Sequence, residues 1–178
     1  MVVFWEQGYE GATLADLTTA MGITRTSMYA AFGNKEELFT KALLRYSEGP
    51  AGYVNRALAE PTARGVAESF LLGSVNTTTR PGSPAGCLTV QGSLAAGEAG
   101  RPARDALTSV REQAWSRLRD RFQQAVEDGD LPPDTDPGLL ARFLLTVSNG
   151  IAVQAASGVG CDELTQVATA TLRHWPPL

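Results

Sequence analysis

The sequence is poor in the residues that most catalytic and metal sites require. Its only histidine is His174, and its only cysteines are Cys87 and Cys161. Ordinary zinc sites need several Cys and His ligands, and catalysis of the Ser-His-Asp or Cys-His type would depend on that one histidine. Two cysteines do not make the disulfide framework of a small secreted domain. We therefore expect a protein that is not an enzyme, with no metal site and no cofactor.

Long apolar runs are also absent. A membrane-spanning helix needs about 20 apolar residues, and the longest apolar stretch, residues 139–159, is interrupted by Arg142, Asn149, Gly150 and Gln154. Met1 is followed shortly by Glu6, without the basic region of a signal peptide. With 43% hydrophobic and 19% charged residues, the composition is that of a globular protein. We expect a cytoplasmic protein without a membrane segment.

The hydrophobic spacing is helical, and the alternation typical of strands is missing, which predicts an all-α fold. Segments rich in Gly and Pro at 48–52, 80–86 and 131–137 separate the predicted helices. The longest helix begins near Pro102 and ends at Gly129, and further helices are predicted at 62–79, 87–96, 139–157 and 162–175. The first interruption predicts a boundary between an N-terminal domain, 1–47, and a larger domain, 48–178.

Three helix starts are marked within the first 47 residues. Thr13 and Asp16 fit a capping box, and Thr24 and Asn34 are further N-cap candidates. The first two caps predict short helices at 14–21 and 24–31, joined through Gly22 and Ile23. Two short helices joined by such a turn form a helix-turn-helix, and the helix that begins at Asn34 would pack behind it as part of a three-helix domain.

Three segments carry a family resemblance: Gly8–Leu17 (GYEGATLADL), Met21–Thr24 (MGIT) and Ser27–Leu38 (SMYAAFGNKEEL). In this order they resemble the N-terminal DNA-binding domain of the tetracycline-repressor (TetR) family, from about Phe4 to Tyr46. The rest of the chain resembles the family only as an all-α effector-binding and dimerisation domain. Residues 85–91 are similar to a Gly-Cys-Leu segment found in one branch of the family.

The resemblance implies that the second short helix reads DNA bases. Its exposed N-terminal face would present Thr24, Arg25, Thr26 and Ser27. A bidentate bond from Arg25 to guanine would give roughly 1–3 kcal/mol of discrimination, and Thr26 and Ala30 would contact a thymine methyl group or a base edge. The positions that contact phosphates in the family are Thr13, Tyr29 and Lys35. The alternatives are that the threonines only cap helices, that Tyr29 lies in the core, and that Lys35 is merely solvated.

Two features depart from the family pattern. Ala31 stands where the family often has histidine, and the first helix normally begins further upstream, so we expect the start of the first helix to be truncated. Residues 1–50 contain four basic and six acidic side chains, a net charge of −2. Because phosphate neutralisation dominates affinity for nucleic acid, the first domain is electrostatically weak as a DNA-binding domain.

In the larger domain the resemblance implies an effector pocket between helices and a homodimer through the last two helices. The pocket candidates mix aromatic, apolar and polar side chains: Phe70, Ser74, Cys87, Leu88, Gln91, Leu94, Trp115, Leu118, Phe122 and Asn149. The alternative for each is an ordinary core position. The two cysteines could form a redox sensor, although buried cysteines commonly serve as small hydrophobic residues.

The sequence thus predicts a one-component regulator, a homodimeric repressor that binds double-stranded operator DNA and is released by a small apolar effector. One alternative is a ligand-binding or interaction protein of this fold that has lost DNA binding, which the negative first domain favours. The other is an α-helical enzyme, for which one histidine and no metal set leave little chemistry.

Overall fold

The computed structural model describes residues 1–94 and 100–176, and these residues form ten α-helices and one 3₁₀ turn with no strand. The predicted all-α fold is therefore confirmed. The helices are α1 (Val2–Gly11), α2 (Leu14–Met21), α3 (Arg25–Phe32), α4 (Lys35–Glu48), α5 (Tyr53–Leu58), α6 (Ala63–Thr78), α7 (Leu88–Leu94), α8 (Arg101–Glu127), α9 (Pro137–Ala156) and α10 (Cys161–Arg173), and the 3₁₀ turn is Pro50–Gly52. Residues 95 and 96, predicted to continue the helix at 87–96, lie outside the described residues.

The first four helices share an aromatic core. Phe4 and Trp5 of α1 are buried, and Phe4 meets Phe39 of α4 edge to face with ring centroids 5.0 Å apart. Tyr46 near the end of α4 meets Trp5 in the same way at 4.9 Å. This cluster extends beyond the first four helices, because Leu88 of α7 and Leu107 of α8 are buried in it. The first four helices are thus packed directly against α7 and the beginning of α8.

A second core lies among α5, α6, α8, α9 and α10. Phe70 of α6, Leu118 and Phe122 of α8 and Leu144 of α9 are fully or almost fully buried there. Among the described helices, α9 alone has the length and hydropathy of a membrane span. It packs against α6 and α8 and buries Leu144 and other apolar residues, which is how the core helix of a globular domain also behaves.

Candidate nucleic-acid interface and internal cavity

The predicted caps set the geometry of α2 and α3. Thr13 Oγ1 accepts a hydrogen bond from the Asp16 backbone N–H at 3.1 Å, and the Thr13 backbone N–H donates to Asp16 Oδ2 at 3.0 Å. Gly22 ends α2 in the left-handed region, at φ 65°, where a side chain would be strained. Thr24 Oγ1 then caps α3 by accepting from the Ser27 backbone N–H at 3.1 Å. The result is the predicted helix-turn-helix.

One face of α3 is anchored and the other is open. Met28 is fully buried against the first core. The residues predicted to touch bases are all exposed: Thr24, Arg25, Thr26, Ser27 and Ala30. Arg25 makes no hydrogen bond or ion pair within the described part of the chain. Tyr29 is 49% exposed, so the alternative that it is a core residue is wrong. The geometry gathers these side chains on one accessible surface.

The proposed phosphate contacts flank this surface. Thr13 is exposed at the N-terminus of α2, and Lys35 opens α4. The Lys35 ammonium lies 4.7 Å from the centroid of the Tyr9 ring, and partial burial lowers the pKa of Lys35 while nearby Glu10 opposes that change. The Tyr9 ring thus packs against the Lys35 side chain, which is more than a solvated surface charge.

A cavity of about 70 Å³ lies where α4 and the 3₁₀ turn meet α5 to α9. Of the ten residues predicted for an effector pocket, Phe70, Ser74, Cys87 and Asn149 line it. Leu88 is buried in the first core instead. Gln91 lies beside Gly86 and is not part of the lining, and the side chain of Leu94 lies outside the described residues.

The structure does not bring Trp115, Leu118 and Phe122 to this cavity, and their prediction as lining residues needs this correction. The long helix α8 meets the cavity at Val110 to Ala114, and its later turns pack elsewhere. Leu118 and Phe122 fill the second core. Trp115 donates from Nε1 to the Gly138 carbonyl at 3.1 Å, on another side of α8. A common helical stripe placed these residues together in the sequence, but a 27-residue helix faces several neighbours along its length.

Polar groups that the sequence did not single out complete the lining. Ser148 Oγ donates to Ser74 Oγ at 2.9 Å, and the Tyr53 hydroxyl lies beside the same two serines. Burial raises the pKa of Tyr53 to about 12, so the phenol is neutral. Arg111 of α8 also lines the cavity. The only sequence signal was the polar pair Ser148–Asn149 within the apolar α9.

A hydrogen bond connects the cavity wall with the first four helices. The Tyr46 hydroxyl donates to Cys87 Sγ at 3.2 Å, and Cys87 Sγ lies 3.1 Å from Thr89 Oγ1. Burial raises the pKa of Tyr46, and the neighbouring Cys87 adds to the effect. The Tyr46 hydroxyl is therefore protonated and can donate this bond. The Tyr46 ring itself packs edge to face against Trp5.

The last two helices leave an apolar face uncovered. Val153 of α9 and Val167 of α10 are 43% and 46% exposed, and a groove between the helices is lined by Val147, Gly150 and Val167 among others. A Cβ atom at Gly150 would meet nothing within 4 Å. Cys161, the first residue of α10, is an exposed free thiol, whereas Cys87 is a partly buried one.

Two family models match the chain. The model described as "Bacterial regulatory proteins, tetR family" matches residues 1–42, and "Tetracyclin repressor-like, C-terminal domain" matches residues 68–172. Among curated proteins, the HTH-type transcriptional repressor ComR of Escherichia coli (strain K12) is 31% identical over the whole chain and 86% of its own length. The uncharacterized HTH-type transcriptional regulator YezE of Bacillus subtilis (strain 168) is 31% identical over 80% of this chain and 74% of its own.

Solved structures agree with these matches. A cysteine-substituted form of the TetR family transcriptional regulator CifR, complexed with 26-base-pair double-strand operator DNA, is 41% identical. It superimposes with a TM-score of 0.93 over 98% of this chain and 92% of that one. A putative TetR transcriptional regulator from Rhodococcus sp. RHA1 is 43% identical with a TM-score of 0.68, over 96% of this chain and 92% of its own.

Proposed function

The chain belongs to the tetracycline-repressor family of DNA-binding transcriptional regulators, and from that premise we propose that it represses transcription by occupying an operator as a homodimer. It is a regulator and not an enzyme. The observation that carries the proposal is the exposed surface of α3 and its cap, where Thr24, Arg25 and Ser27 are accessible while Met28 is buried beneath them. This is the geometry that a recognition helix needs to enter a major groove.

We propose that the two parts of the chain have separate roles. Residues 1–47 would bind DNA, with Thr24, Arg25, Thr26, Ser27 and Ala30 at base edges and with Thr13, Tyr29 and Lys35 at phosphates. Residues 48–178 would bind the effector and form the dimer. Phosphate contacts would position the protein, and base contacts would select the sequence. The N-terminal N–H groups of the capped helix α4 add a further phosphate site.

The homodimer is proposed to form through α9 and α10, whose exposed Val153 and Val167 would be covered in a four-helix interface. Two-fold symmetry would place the two copies of α3 roughly 34–36 Å apart, one turn of the DNA helix. We place the regulator in the cytoplasm, in contact with the DNA it controls.

The effector is proposed to be a small molecule that occupies the cavity lined by Phe70, Ser74, Cys87 and Asn149. The cavity adjoins Tyr46, so a ligand there could shift α4 and with it the spacing of the recognition helices. The effect on operator affinity cannot exceed the difference in the ligand's affinity for the two states.

Operator binding is tested by fluorescence anisotropy with DNA from the promoter region of this protein's own gene, against a scrambled duplex of equal length. We expect saturable binding that prefers the promoter DNA and weakens as salt rises. The net charge of −2 over residues 1–50 favours one alternative, a ligand-binding protein of the same fold without operator affinity. Equal, weak binding to both duplexes would support that alternative and refute the repressor.

A further inference from the structure

Arg111 stands out in the cavity because it is the only charged side chain among the lining residues that the structure describes. No aspartate or glutamate is among them. The Arg111 guanidinium donates to the Thr89 carbonyl at 2.6 Å and to Thr108 Oγ1 at 3.1 Å. Both acceptors are neutral, and within residues 1–94 and 100–176 Arg111 has no carboxylate partner.

We propose that the cavity binds a small monocarboxylate whose anionic group is held by Arg111. This inference rests on the proposed effector response and specifies the chemical class of its ligand. A guanidinium carries five N–H donors in a planar fork that matches a carboxylate, and the two bonds already made leave donors available. A partly buried cation without an acidic neighbour also gains from an anion that neutralises it.

Neighbouring polar groups fit the same ligand. Asn149 lines the cavity, and its side-chain amide has no hydrogen-bond partner in the described part of the chain. The hydroxyls of Ser74 and Ser148 are bonded to each other, and burial raises the pKa of the neighbouring Tyr53 to about 12, so this cluster carries no charge. The lining therefore offers one positive charge and an unused amide donor, and no described negative charge to repel an anion.

The volume limits the size of the ligand. A cavity of about 150 Å³ holds benzene, so the cavity of about 70 Å³ takes only a short ligand. Phe70, Val110 and Leu145 supply apolar walls for a short alkyl chain. Butyrate is a short probe of this kind, and a fatty acid of eight carbons is too long.

The position of Arg111 also explains how such a ligand would act on DNA binding. Arg111 holds the carbonyl of Thr89 at the beginning of α7. Two residues earlier, Cys87 accepts the hydrogen bond of Tyr46. A carboxylate that draws the guanidinium away from Thr89 would loosen the start of α7, and the contact with α4 would loosen with it.

Calorimetry on the full chain without DNA tests the charge requirement. Butyrate is compared with the neutral butyramide and the cationic butylammonium, at constant ionic strength in a buffer free of carboxylates. We expect butyrate to bind at least ten-fold more tightly than butyramide, butylammonium not to bind, and octanoate to bind more weakly than butyrate. Equal affinities for butyrate and butyramide, or no binding of butyrate, would overturn the proposal.

Substitutions test the residue. Arg111→Gln should abolish the preference for butyrate, and Arg111→Lys should keep part of it because the charge remains. The matched control is Arg117→Gln on the exposed side of the same helix, which should bind butyrate as the unchanged protein does. Butyrate binding that survives Arg111→Gln would refute the assignment. Circular dichroism verifies that each variant is folded. If Arg111→Gln is unfolded, the proposal is tested by the comparison of butyrate with butyramide on the unchanged protein and by the butyrate affinity of Arg111→Lys.

Operator binding separates this inference from the proposed function. In anisotropy with the promoter duplex at constant ionic strength, butyrate should lower operator affinity, and butyramide at the same concentration should not. A protein that binds its operator but fails to bind butyrate refutes only the carboxylate inference. A protein that binds butyrate but no operator refutes only the repressor.

Discussion

The hydrogen bond between Tyr46 and Cys87 is the polar contact through which α4 meets the cavity wall, and Tyr46→Phe tests it. The substitution removes one hydroxyl and keeps the ring that packs on Trp5. Cys87 retains its contact with Thr89 at 3.1 Å, so the sulfur keeps a polar partner. The change in stability should therefore report chiefly the bonds of the Tyr46 hydroxyl.

The magnitude follows from the type of bond. A neutral hydrogen bond contributes a net 0.5–1.5 kcal/mol or so, and sulfur is a weak acceptor, so we expect a loss of about 0.5–1 kcal/mol. For a chain of this size that loss lowers the Tm by about 1–4 °C. If the bond also holds the DNA-binding helices in their operator-binding position, operator affinity falls by about two- to five-fold per protomer.

The assay pairs thermal unfolding with anisotropy titration of the promoter duplex. Tyr29→Phe is the matched control, since Tyr29 is exposed and its hydroxyl has no hydrogen-bond partner within the described residues. It should leave the Tm unchanged, although operator affinity falls if Tyr29 contacts a phosphate. A Tyr46→Phe protein with unchanged Tm and unchanged operator affinity would refute the view that this bond links the cavity to α4.

Three further predictions concern the recognition surface, its caps and the cavity wall. Arg25→Ala should leave the Tm unchanged, but reduce the preference for promoter over scrambled DNA by roughly 1–3 kcal/mol per site in anisotropy titrations; an equal loss on both duplexes would assign Arg25 to phosphate instead. Hydrogen bonds from Thr13 lower the pKa of Asp16, so its stabilising effect is present above about pH 4, the unfolded value, and is lost as pH falls through the lower folded value. The difference in unfolding free energy between the unchanged protein and Asp16→Asn should accordingly shrink on acidification, and a difference that is constant down to pH 2 would contradict the capping box. Gly73→Ala should lower the Tm and weaken ligand binding, because a Cβ there would lie 2.6 Å from Tyr53 Cδ2 and push that ring towards the cavity; an unchanged Tm would show that Tyr53 moves without strain.

The helix-turn-helix could be predicted from the sequence because its signals are local. Thr13, Thr24 and Asn34 each accept a backbone hydrogen bond from a residue three positions later, and such caps are visible as residue types at fixed spacing. Gly22 and Gly33 adopt positive φ at the ends of α2 and α3. Nothing distant in the sequence was needed to place the exposed face of α3.

The cavity could be predicted only in part because it depends on distant contacts. Ser74 and Ser148 are 74 residues apart, and Tyr46 and Cys87 are 41 apart, so no local spacing relates them. Helical periodicity showed which face of α8 is apolar, but not which turn of that face meets the cavity. Arg111 gave no signal at all, since an arginine on a long helix is ordinarily a solvated surface residue.

The shared core has a consequence for how the regulator can switch. Leu88 and Leu107 are fully buried among the residues of α1 to α4, so α7 and α8 cannot move far without disturbing the packing around Trp5 and Phe39. Close-packed interiors do not deform continuously, and a ligand that displaces the start of α7 must move α1 and α4 with it or meet a high barrier. The change in operator affinity is therefore limited by the difference in the ligand's affinity for the two packings. Substitutions at Leu88 or Leu107 should change this response to the effector, even though neither residue is placed in contact with DNA or ligand.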